Sequence, residues 1–425
     1  MRHDVDDEAT AAPELLIAFG SQTGTAIQLA WAGARALKAV GQRVRVLPLN
    51  KLCPHDLQGA RYMLFVVSTY GDGEAPDNAA NFERRTMSDP ASRLDLRHLQ
   101  YGVLALGDRT YADFCAFGAR LDAWLEGQGA RRWFDLIEAD KGDDGAVTRW
   151  REQLARVVGV DHLPAWRSPG FERWRLLERR LLNPGSLGEP TYHLALEPVY
   201  RVPGGPMPHW EAGDLAQIVV PDDPSQPRDY SIATLPADGS LQLLVRQEHR
   251  SDGRPGLASG WLTQGLAHDG EVDLRLRPNP TFRLGGNVSR PLILVGNGTG
   301  LAGVRALLKA RIAAGQRCNW LMFGERSEAH DFYHRDELQA WFHQGWLKRL
   351  DLAFSRDQGH RVYVQHRLVE NERALMCWVD DGAAIYVCGS LHGMAGEVDA
   401  ALRRVMGTER VDVLADEGRY RRDVY

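Results

Sequence analysis

Short apolar runs alternate with amphipathic stretches along residues 14–159, which predicts a parallel sheet covered by helices on both faces. The first run, Leu15–Phe19, passes through the residues GSQTGT into a helical stretch at Ala26–Val40. The other strands of this region are predicted at Arg43–Pro48, Tyr62–Ser68, Tyr101–Leu106 and Arg132–Phe134. In such sheets ligands bind in the loops that follow the carboxyl ends of the strands.

The alternation stops in residues 160–189, where several prolines predict a linker between domains. This linker contains a basic stretch, FERWRLLERRLL at Phe171–Leu182, which we interpret as a helix. A solvated helix with one apolar stripe is the favoured interpretation, because charge runs usually face water. A docking surface for a partner or for an anionic membrane is the alternative.

Two further patterns follow the linker. Residues 190–286 contain short strands separated by Pro, Gly and Asp turns, which predicts a small antiparallel β-barrel. Its strands are predicted at Leu215–Val220, Tyr230–Ala233, Leu241–Gln247 and Val272–Leu276. In residues 287–425 strands and helices alternate again, which predicts a second nucleotide-binding α/β unit. The strands of that unit are predicted at Pro291–Val295, Trp320–Gly324, Leu350–Ser355 and Ala384–Cys388.

Composition limits the class of protein. The chain has 425 residues, of which 44% are hydrophobic and 25% charged, and its formal net charge of −5 argues against a nucleic-acid binder. Its five cysteines show neither disulfide pattern nor metal-ligand spacing, which favours a reducing compartment. Residues 1–13 predict a disordered acidic tail without a secretory signal. No apolar run is long enough to span a membrane, so we expect a cytoplasmic protein.

The loop after the first predicted strand is suited to a phosphate. Its glycines and hydroxyls precede a helix, so backbone N–H groups and side-chain hydroxyls can converge on an anion. The loop contains no Lys, which excludes the nucleoside-triphosphate loop G-x-x-x-x-G-K-[ST]. An anion held without a full positive charge indicates a phosphomonoester that stays bound, and FMN fits that description.

Two more strand-end loops, Ser68–Asn78 and Leu106–Phe114, each carry an aromatic residue on a glycine-bearing turn. Tyr70 and Tyr111 could enclose a flat isoalloxazine between them. Taken singly, each tyrosine could instead be a partly buried loop anchor. Three loops at the same sheet edge strengthen the flavin interpretation.

The motifs SQTGT, TYGDGEAPDNA and LGDRTYADF closely resemble the three FMN loops of the diflavin reductases. That family includes the sulfite reductase flavoprotein subunit and the microsomal cytochrome oxidoreductases. Within the resemblance, the residues implied for the FMN phosphate are Ser21, Gln22, Thr23, Gly24 and Thr25. Those implied for the ring and the ribityl chain are Thr69, Tyr70, Gly71, Gly107, Asp108, Tyr111 and Asp140. Family members often have Asn in place of Asp108, a change that would alter the flavin potentials.

The acidic residues Asp72, Glu74 and Asp77 lie beside the expected flavin edge. In relatives, comparable patches dock basic electron acceptors, so the resemblance implies a redox acceptor protein docking near the FMN domain. Ordinary surface charge is an equally good interpretation of these three residues.

The segment RDYSIA pairs an arginine suited to a pyrophosphate with a tyrosine suited to a flavin. Together with GLAS, which begins a helix, it resembles the FAD motifs of the ferredoxin–NADP reductase fold. The FAD contacts implied are Arg228, Tyr230, Ser231, Gly256, Leu257, Ala258 and Ser259. Relatives commonly have a Tyr after the strand LLVR, where this chain has Gln247.

The segments GNGTG and FSRDQGHRVYVQ resemble the NADPH-binding segments of the same family. The implied NADPH contacts are Gly298, Thr299, Ser355, Arg356, Arg361, Tyr363 and Gln365. Planar guanidinium groups match the geometry of a 2′-phosphate, which favours NADPH over NADH. Glu325 is the opposing signal, because an acid at the end of the second strand can bind a free ribose hydroxyl.

The segment YVCGS and the terminal RYRRDVY resemble the family segments around the nicotinamide. The resemblance implies that Ser231, Cys388 and Asp423 surround the point of hydride transfer and that Tyr425 covers the FAD ring. Without its context, Cys388 would be an ordinary small apolar residue of a strand.

The resemblance covers nearly the whole chain after residue 14, except for a helical connecting domain that large relatives insert before the RDYS strand. It implies a minimal NADPH-dependent diflavin oxidoreductase that passes electrons from NADPH to FAD, to FMN and to a separate acceptor. That acceptor could be a haem, siroheme or iron–sulfur protein, or a ferric chelate. A dedicated flavoprotein subunit of sulfite reductase is one alternative. A flavin-binding sensor or interaction module without turnover is another.

Overall fold

The computed structural model describes residues 14–21, 24–71, 73–88, 93–109, 111–140, 143–164, 170–200, 205–250 and 252–425. The predicted tail at residues 1–13 and the candidate residues Gln22, Thr23 and Asp72 lie outside these ranges. The chain forms two compact units, Met1–Arg167 and Ser168–Tyr425, and their boundary falls inside the predicted linker.

The first unit is built on a parallel sheet with the strand order β2-β1-β3-β4-β5, in which β6 also pairs with β4. This is the doubly wound order of flavodoxin-like folds. The strands are β1 (Leu15–Gly20), β2 (Val44–Pro48), β3 (Tyr62–Ser68), β4 (Gln100–Leu106), β5 (Arg131–Arg132) and β6 (Ile137–Ala139). The helices are α1 (Thr25–Ala39), α2 (Pro54–Gly59), α3 (Asp77–Phe82), α4 (Ala116–Gly127) and α5 (Asp144–Val157).

Both faces of this sheet are buried, as the continuous apolar runs predict. On one face, α1 and α5 pack through Leu37, Trp150 and Leu154. On the other face, α3 and α4 pack through Phe82 and Phe117. The sheet is therefore a rigid central layer, and its loops at the carboxyl edge are held in fixed positions.

The second unit begins with an antiparallel sheet of order β10-β9-β12-β7-β8-β11. The terminal strands β10 and β11 also contact each other, so the sheet curls towards the predicted barrel. Its strands are β7 (Glu172–Leu181), β8 (Thr191–Pro198), β9 (Leu215–Val220), β10 (Asp223–Ser231), β11 (Leu241–Arg246) and β12 (Glu271–Arg277), and a short helix, α6, covers Leu257–Gly260. Strands β9 and β10 are joined by a tight turn, as expected if the connecting insertion is missing.

The helix predicted over Phe171–Leu182 is wrong, because this segment forms strand β7 of the barrel sheet. Trp174 and Leu176, two positions apart on the strand, both point into the core. The register with β8 shifts after Leu176, where the adjacent Leu177 interrupts the alternation. The charged residues between these core positions face outward. Arg173 pairs with carboxylates of the neighbouring strand β12, which supports the interpretation of a solvated surface.

A second parallel sheet, of order β15-β14-β13-β16-β17, completes this unit. Its strands are β13 (Leu292–Asn297), β14 (Asn319–Glu325), β15 (Arg349–Phe354), β16 (Ala384–Gly389) and β17 (Tyr420–Val424). Its helices are α7 (Leu301–Ala313), α8 (Glu328–Asp331), α9 (Arg335–His343), α10 (Val364–Glu370), α11 (Glu372–Asp380), α12 (Gly396–Met406) and α13 (Thr408–Asp416). The edge strand β17 was not predicted from the sequence.

Within the described ranges, no helix combines the length and the apolar character needed to cross a membrane.

Strand β7 yields a test of the corrected assignment. Trp174 is 1% exposed and its ring centroid lies 6.5 Å from that of Trp210. Trp174→Ala should lower the free energy of unfolding of this unit by about 3–5 kcal/mol, because it leaves a large cavity. The measurement is the urea midpoint followed by circular dichroism. Tyr200→Ala, at an 86% exposed position, is the control; equal midpoints for both variants would contradict the assignment.

Candidate functional site

The loop after β1 folds back onto the start of α1. Gly24 donates its N–H to Oγ of Ser21 over 3.0 Å, and Ser21 in turn donates its N–H to Oδ1 of Asn78 over 2.8 Å. Gly24 has a φ of +86°, a conformation that favours glycine, and α1 begins at the next residue, Thr25. The turn therefore presents a helix start and hydroxyls at the sheet edge, which is the geometry expected of a phosphate cradle.

The second loop is tied to the third loop and to helix α4. Thr69 donates its N–H to the Leu106 carbonyl over 2.9 Å, and its Oγ1 accepts the N–H of Phe117 over 3.2 Å. Tyr70 and Glu74 exchange two backbone hydrogen bonds of 2.8 Å around the turn at Gly71. Tyr70 is only 8% exposed, so its ring forms part of the wall of this edge.

The third loop is equally constrained. Gly107 donates its N–H to the Ala139 carbonyl over 3.0 Å, and a Cβ at Gly107 would lie 2.8 Å from the backbone N of Cys115. Asp140 accepts the N–H of Arg109 over 3.0 Å, while Tyr111 is 37% exposed. The three predicted FMN loops thus lie at one edge with their backbones fixed; the stacking of Tyr70 and Tyr111 on a flavin stays a prediction.

In the second unit, the predicted nicotinamide residues come together. Ser231 ends β10, and Cys388 and Asp423 lie opposite each other on the paired strands β16 and β17. The Ser231 hydroxyl donates to Oδ2 of Asp423 over 2.7 Å, and the Cys388 sulfur lies 3.8 Å from the same oxygen. All three residues are buried, although 192 positions separate Ser231 from Asp423.

Burial dominates the electrostatics of this cluster. It raises the pKa of Asp423 to about 6, although hydrogen bonds from Ser231 and Cys388 and the charge of Arg277 act in the opposite direction. Burial also raises the pKa of the Cys388 thiol well above its usual value, so Cys388 is a neutral thiol. The site therefore holds one carboxylate whose charge is sensitive to mildly acidic pH.

The terminal Tyr425 is held beside this cluster by its backbone. Its N–H donates to the Gly389 carbonyl over 3.1 Å, and its carbonyl accepts the N–H of Leu391 over 2.8 Å. Its hydroxyl lies 3.2 Å from Oγ1 of Thr299, yet the residue is 54% exposed. A half-exposed ring fixed at one end fits an aromatic cover over a flat ligand.

The predicted FAD contacts fall into two groups. Arg228 turns back along its own hairpin, where Nη2 contacts Oδ2 of Asp223 at 3.0 Å. Gly256 and Ser259 frame the start of α6, and Oγ of Ser259 accepts the N–H of Glu248 over 3.0 Å. Arg228 lies on strand β10 of the barrel sheet, and Gly256 and Ser259 lie in the segment that follows β11.

Gln247 stands where the family resemblance implies a tyrosine, and its side chain is buried. It is 2% exposed, and its Oε1 accepts a hydrogen bond of 3.2 Å from Nε2 of Gln264. The amide of Gln247 is therefore engaged with Gln264 inside the protein.

The predicted NADPH residues follow β13 and β15. Gly298 has a φ of +53°, and a Cβ at Gly300 would collide with the Cys388 carbonyl, so the loop requires glycine at both positions. Arg356, Arg361 and Tyr363 are exposed near the end of β15. The guanidinium groups of Arg356 and Arg361 are suited to the 2′-phosphate of NADPH.

Two other residues of this group, Ser355 and Gln365, have buried polar groups. Ser355 is 7% exposed and donates its N–H to the Glu325 carbonyl over 2.9 Å. Oε1 of Gln365 is buried without a hydrogen-bond partner among the described residues. A buried acceptor without a partner is suited to a donor on a bound ligand.

Two ion pairs of the second unit were not predicted from the sequence, and they involve Arg246, Asp229 and Arg277. Arg246 forms an ion pair with Glu325, and the buried Arg277 forms one with Asp229. Neither pair joins residues near each other in sequence, so no local pattern signals it.

Comparison with known proteins supports both halves of the chain. Residues 17–151 match the family described as Flavodoxin, and residues 294–400 match the family described as Oxidoreductase NAD-binding domain. These matches fall on the two parallel sheets, and they confirm the predicted fold class of a flavodoxin-like domain followed by a ferredoxin–NADP reductase-like module.

Several curated relatives carry the name sulfite reductase [NADPH] flavoprotein alpha-component. The relative from Vibrio cholerae serotype O1 is 29% identical over 550 residues, which covers 98% of this chain and 88% of the relative. Those from Shewanella sp. strain MR-7 and Neisseria meningitidis serogroup B are 29% identical over 552 residues and 28% identical over 535 residues. They cover 98% and 95% of this chain, and 91% and 88% of the relatives.

These alignments confirm the resemblance to the diflavin reductases along nearly the whole chain. Their length exceeds the 425 residues of the chain, so the relatives contain residues that this chain lacks.

The raised pKa of Asp423 predicts a pH-dependent stability. Below pH 3.8 the carboxyl is protonated in the folded and unfolded states; between pH 3.8 and about 6 only the folded state keeps the proton. Relative to Asp423→Asn, the wild type should therefore lose about 2.4 kcal/mol of unfolding free energy as pH rises from 4 to 7. Parallel thermal melts of both proteins measure this. Asp336→Asn, at an exposed position, is the control. If the stability of the wild type relative to Asp423→Asn rose with pH instead, the raised pKa of Asp423 would be contradicted.

Proposed function

We propose that this chain, which has the fold and the relatives of a diflavin reductase, is an NADPH-dependent diflavin oxidoreductase. It passes electrons from NADPH through FAD and FMN to a separate acceptor. The buried cluster of Ser231, Cys388 and Asp423 beside Tyr425 carries this proposal, because a module that only binds flavin has no use for it. When bound, FAD accepts a hydride from NADPH, and FMN releases the electrons one at a time.

We assign the FMN site to the three loops of the first unit. The turn of Ser21, Gly24 and Thr25 would hold the phosphate at the start of α1 through backbone N–H groups and hydroxyls. Gly71 and Gly107 let the backbone approach a flat ring closely, and Tyr70 and Tyr111 offer it aromatic faces. The rigid sheet beneath fixes these loops before the flavin binds.

We assign the FAD and NADPH sites to the second unit. Arg228 and the start of α6 suit a pyrophosphate, and Tyr230 and Tyr425 offer aromatic faces to a flavin ring. The glycine loop at Gly298 and the exposed guanidinium groups after β15 suit the pyrophosphate and the 2′-phosphate of NADPH. The loop glycines leave room for these groups where a Cβ would fill it.

The residues around Asp423 perform the electrostatic work of hydride transfer. As the nicotinamide ring becomes cationic, the Asp423 carboxylate stabilises its positive charge in a site from which water is excluded. Ser231 keeps that carboxylate oriented through its 2.7 Å hydrogen bond. Cys388, a neutral thiol, fills the space beside it without adding charge. Tyr425, anchored by its backbone, must swing its ring aside to admit the nicotinamide.

The acceptor is a separate redox protein or a ferric chelate. The alpha-component relatives are named as one part of a sulfite reductase, which favours a haem or siroheme protein as the partner. Glu74 and Asp77, within the second FMN loop, are suited to dock a basic surface. All five cysteines are unpaired, which fits the predicted cytoplasmic location.

The experiment that tests the function is flavin analysis followed by reduction with NADPH. The purified chain should release FMN and FAD in equal amounts, and anaerobic mixing with NADPH should bleach the flavin absorbance. The reduced chain should then reduce ferricyanide with steady turnover. A protein that binds flavin but shows no turnover would be the sensor module instead. Co-purification with a hemoprotein would identify the dedicated sulfite reductase subunit.

Loss of the serine hydroxyl should separate binding from chemistry. Ser231→Ala leaves the Asp423 carboxylate without its closest donor, so we expect NADPH-driven flavin bleaching to slow by about 100-fold. Flavin content should not change. Stopped-flow absorbance measures the rate, and Ser240→Ala, outside the cluster, is the control. If Ser231→Ala bleached its flavin at the wild-type rate, Ser231 would have no part in hydride transfer.

A further inference from the structure

Glu325 occupies a position that usually opposes a 2′-phosphate. It ends β14, the second strand of the nucleotide-binding sheet, where an acidic side chain in related folds binds the free ribose hydroxyls of NADH. Its carbonyl accepts the N–H of Ser355, one of the residues assigned to the 2′-phosphate. A free carboxylate here would repel the phosphate that the neighbouring arginines are suited to bind.

The structure shows that this carboxylate is already engaged. Oε1 forms an ion pair with Nη2 of Arg246, from the end of barrel strand β11, and accepts the Tyr333 hydroxyl over 3.2 Å. Oε2 accepts the N–H of Arg326 over 2.7 Å. Only 6% of the Glu325 side chain is exposed, so both oxygens are turned into the protein.

The ion pair also lies directly against the dinucleotide loop. A Cβ at Gly298 would collide with the Arg246 guanidinium and would lie 3.2 Å from Oε1 of Glu325. Arg246 is 30% exposed, so its positive charge reaches the loop surface while the negative charge stays beneath it. The pair thus neutralises the negative charge that Glu325 alone would give this edge.

We propose that the Arg246–Glu325 ion pair determines coenzyme choice by withdrawing the Glu325 carboxylate from the adenosine ribose, so that a 2′-phosphorylated nucleotide is accepted. This inference rests on the proposed use of NADPH and adds to it a specificity element outside the arginines that contact the phosphate. Arg246 is a positioning residue, and its effect passes through Glu325.

Nucleotide binding tests the proposal without turnover. The full flavin-loaded chain is titrated by calorimetry with 2′,5′-ADP, which carries the 2′-phosphate, and with 5′-AMP, which lacks it. Arg246→Met frees the carboxylate and should weaken 2′,5′-ADP binding by at least about tenfold, with 5′-AMP affinity within about threefold of wild type. Arg349→Met is the matched control, because Arg349 is also 30% exposed and paired, at the opposite end of the sheet.

The double variant Arg246→Met/Glu325→Gln separates specificity from stability, since it removes the buried charge as well as its partner. Its affinity for 2′,5′-ADP should return to within about threefold of wild type. This variant also decides the matter if Arg246→Met alone does not fold. If the double variant folds but still binds 2′,5′-ADP at least about tenfold more weakly than the wild type, the proposal is overturned. Arg246 would then act on the phosphate directly.

Unchanged 2′,5′-ADP binding by a folded Arg246→Met protein would also overturn the inference, while the proposed function would stand. If the wild type itself did not prefer 2′,5′-ADP over 5′-AMP, the use of NADPH would be wrong instead. The two failures are therefore distinguishable in one set of titrations.

Discussion

A buried carboxylate is the constraint around which the second unit is organised. Asp423 is 6% exposed, and removing a charge from water costs several kcal/mol unless hydrogen bonds replace the lost solvation. Ser231 and Cys388 provide that replacement only in part, which is why the pKa of Asp423 stays raised to about 6. The cluster can form only when β17 pairs with β16 and β10 lies against them, so it links the barrel to the second parallel sheet.

The two parallel sheets solve different recognition problems with the same architecture. In the first unit, the loop after β1 is suited to a terminal phosphate through neutral donors alone, because its glycines and hydroxyls surround the start of α1. In the second unit, the corresponding glycine loop lies against the charged Arg246–Glu325 pair, and exposed arginines follow β15. Neutral donors suit a cofactor that stays bound, whereas charged groups discriminate between nucleotides that exchange.

Buried parallel strands were the features most accessible from sequence. The run Tyr62–Ser68 was predicted with the bounds that the structure shows, because a strand buried on both faces is a continuous apolar segment. Strand β7 was mistaken for a helix because Leu176 and Leu177 interrupt its alternation at a register shift. Arginines that pair across strands then resembled a helical charged face. The motif residues around Cys388 were found, but the Arg246–Glu325 pair was not, since it depends on a contact between distant segments.

The short turn between β9 and β10 positions Arg228, the arginine that we propose as an FAD contact. Asp223 and Arg228 share one short hairpin, and their side chains contact each other at 3.0 Å. Such a local pair forms with little loss of chain entropy, so it needs no distant domain to orient the guanidinium. Asp223 also offsets part of the charge of Arg228. A pyrophosphate that binds Arg228 must therefore displace the Asp223 carboxylate from it. The short hairpin thus orders Arg228 through a local ion pair.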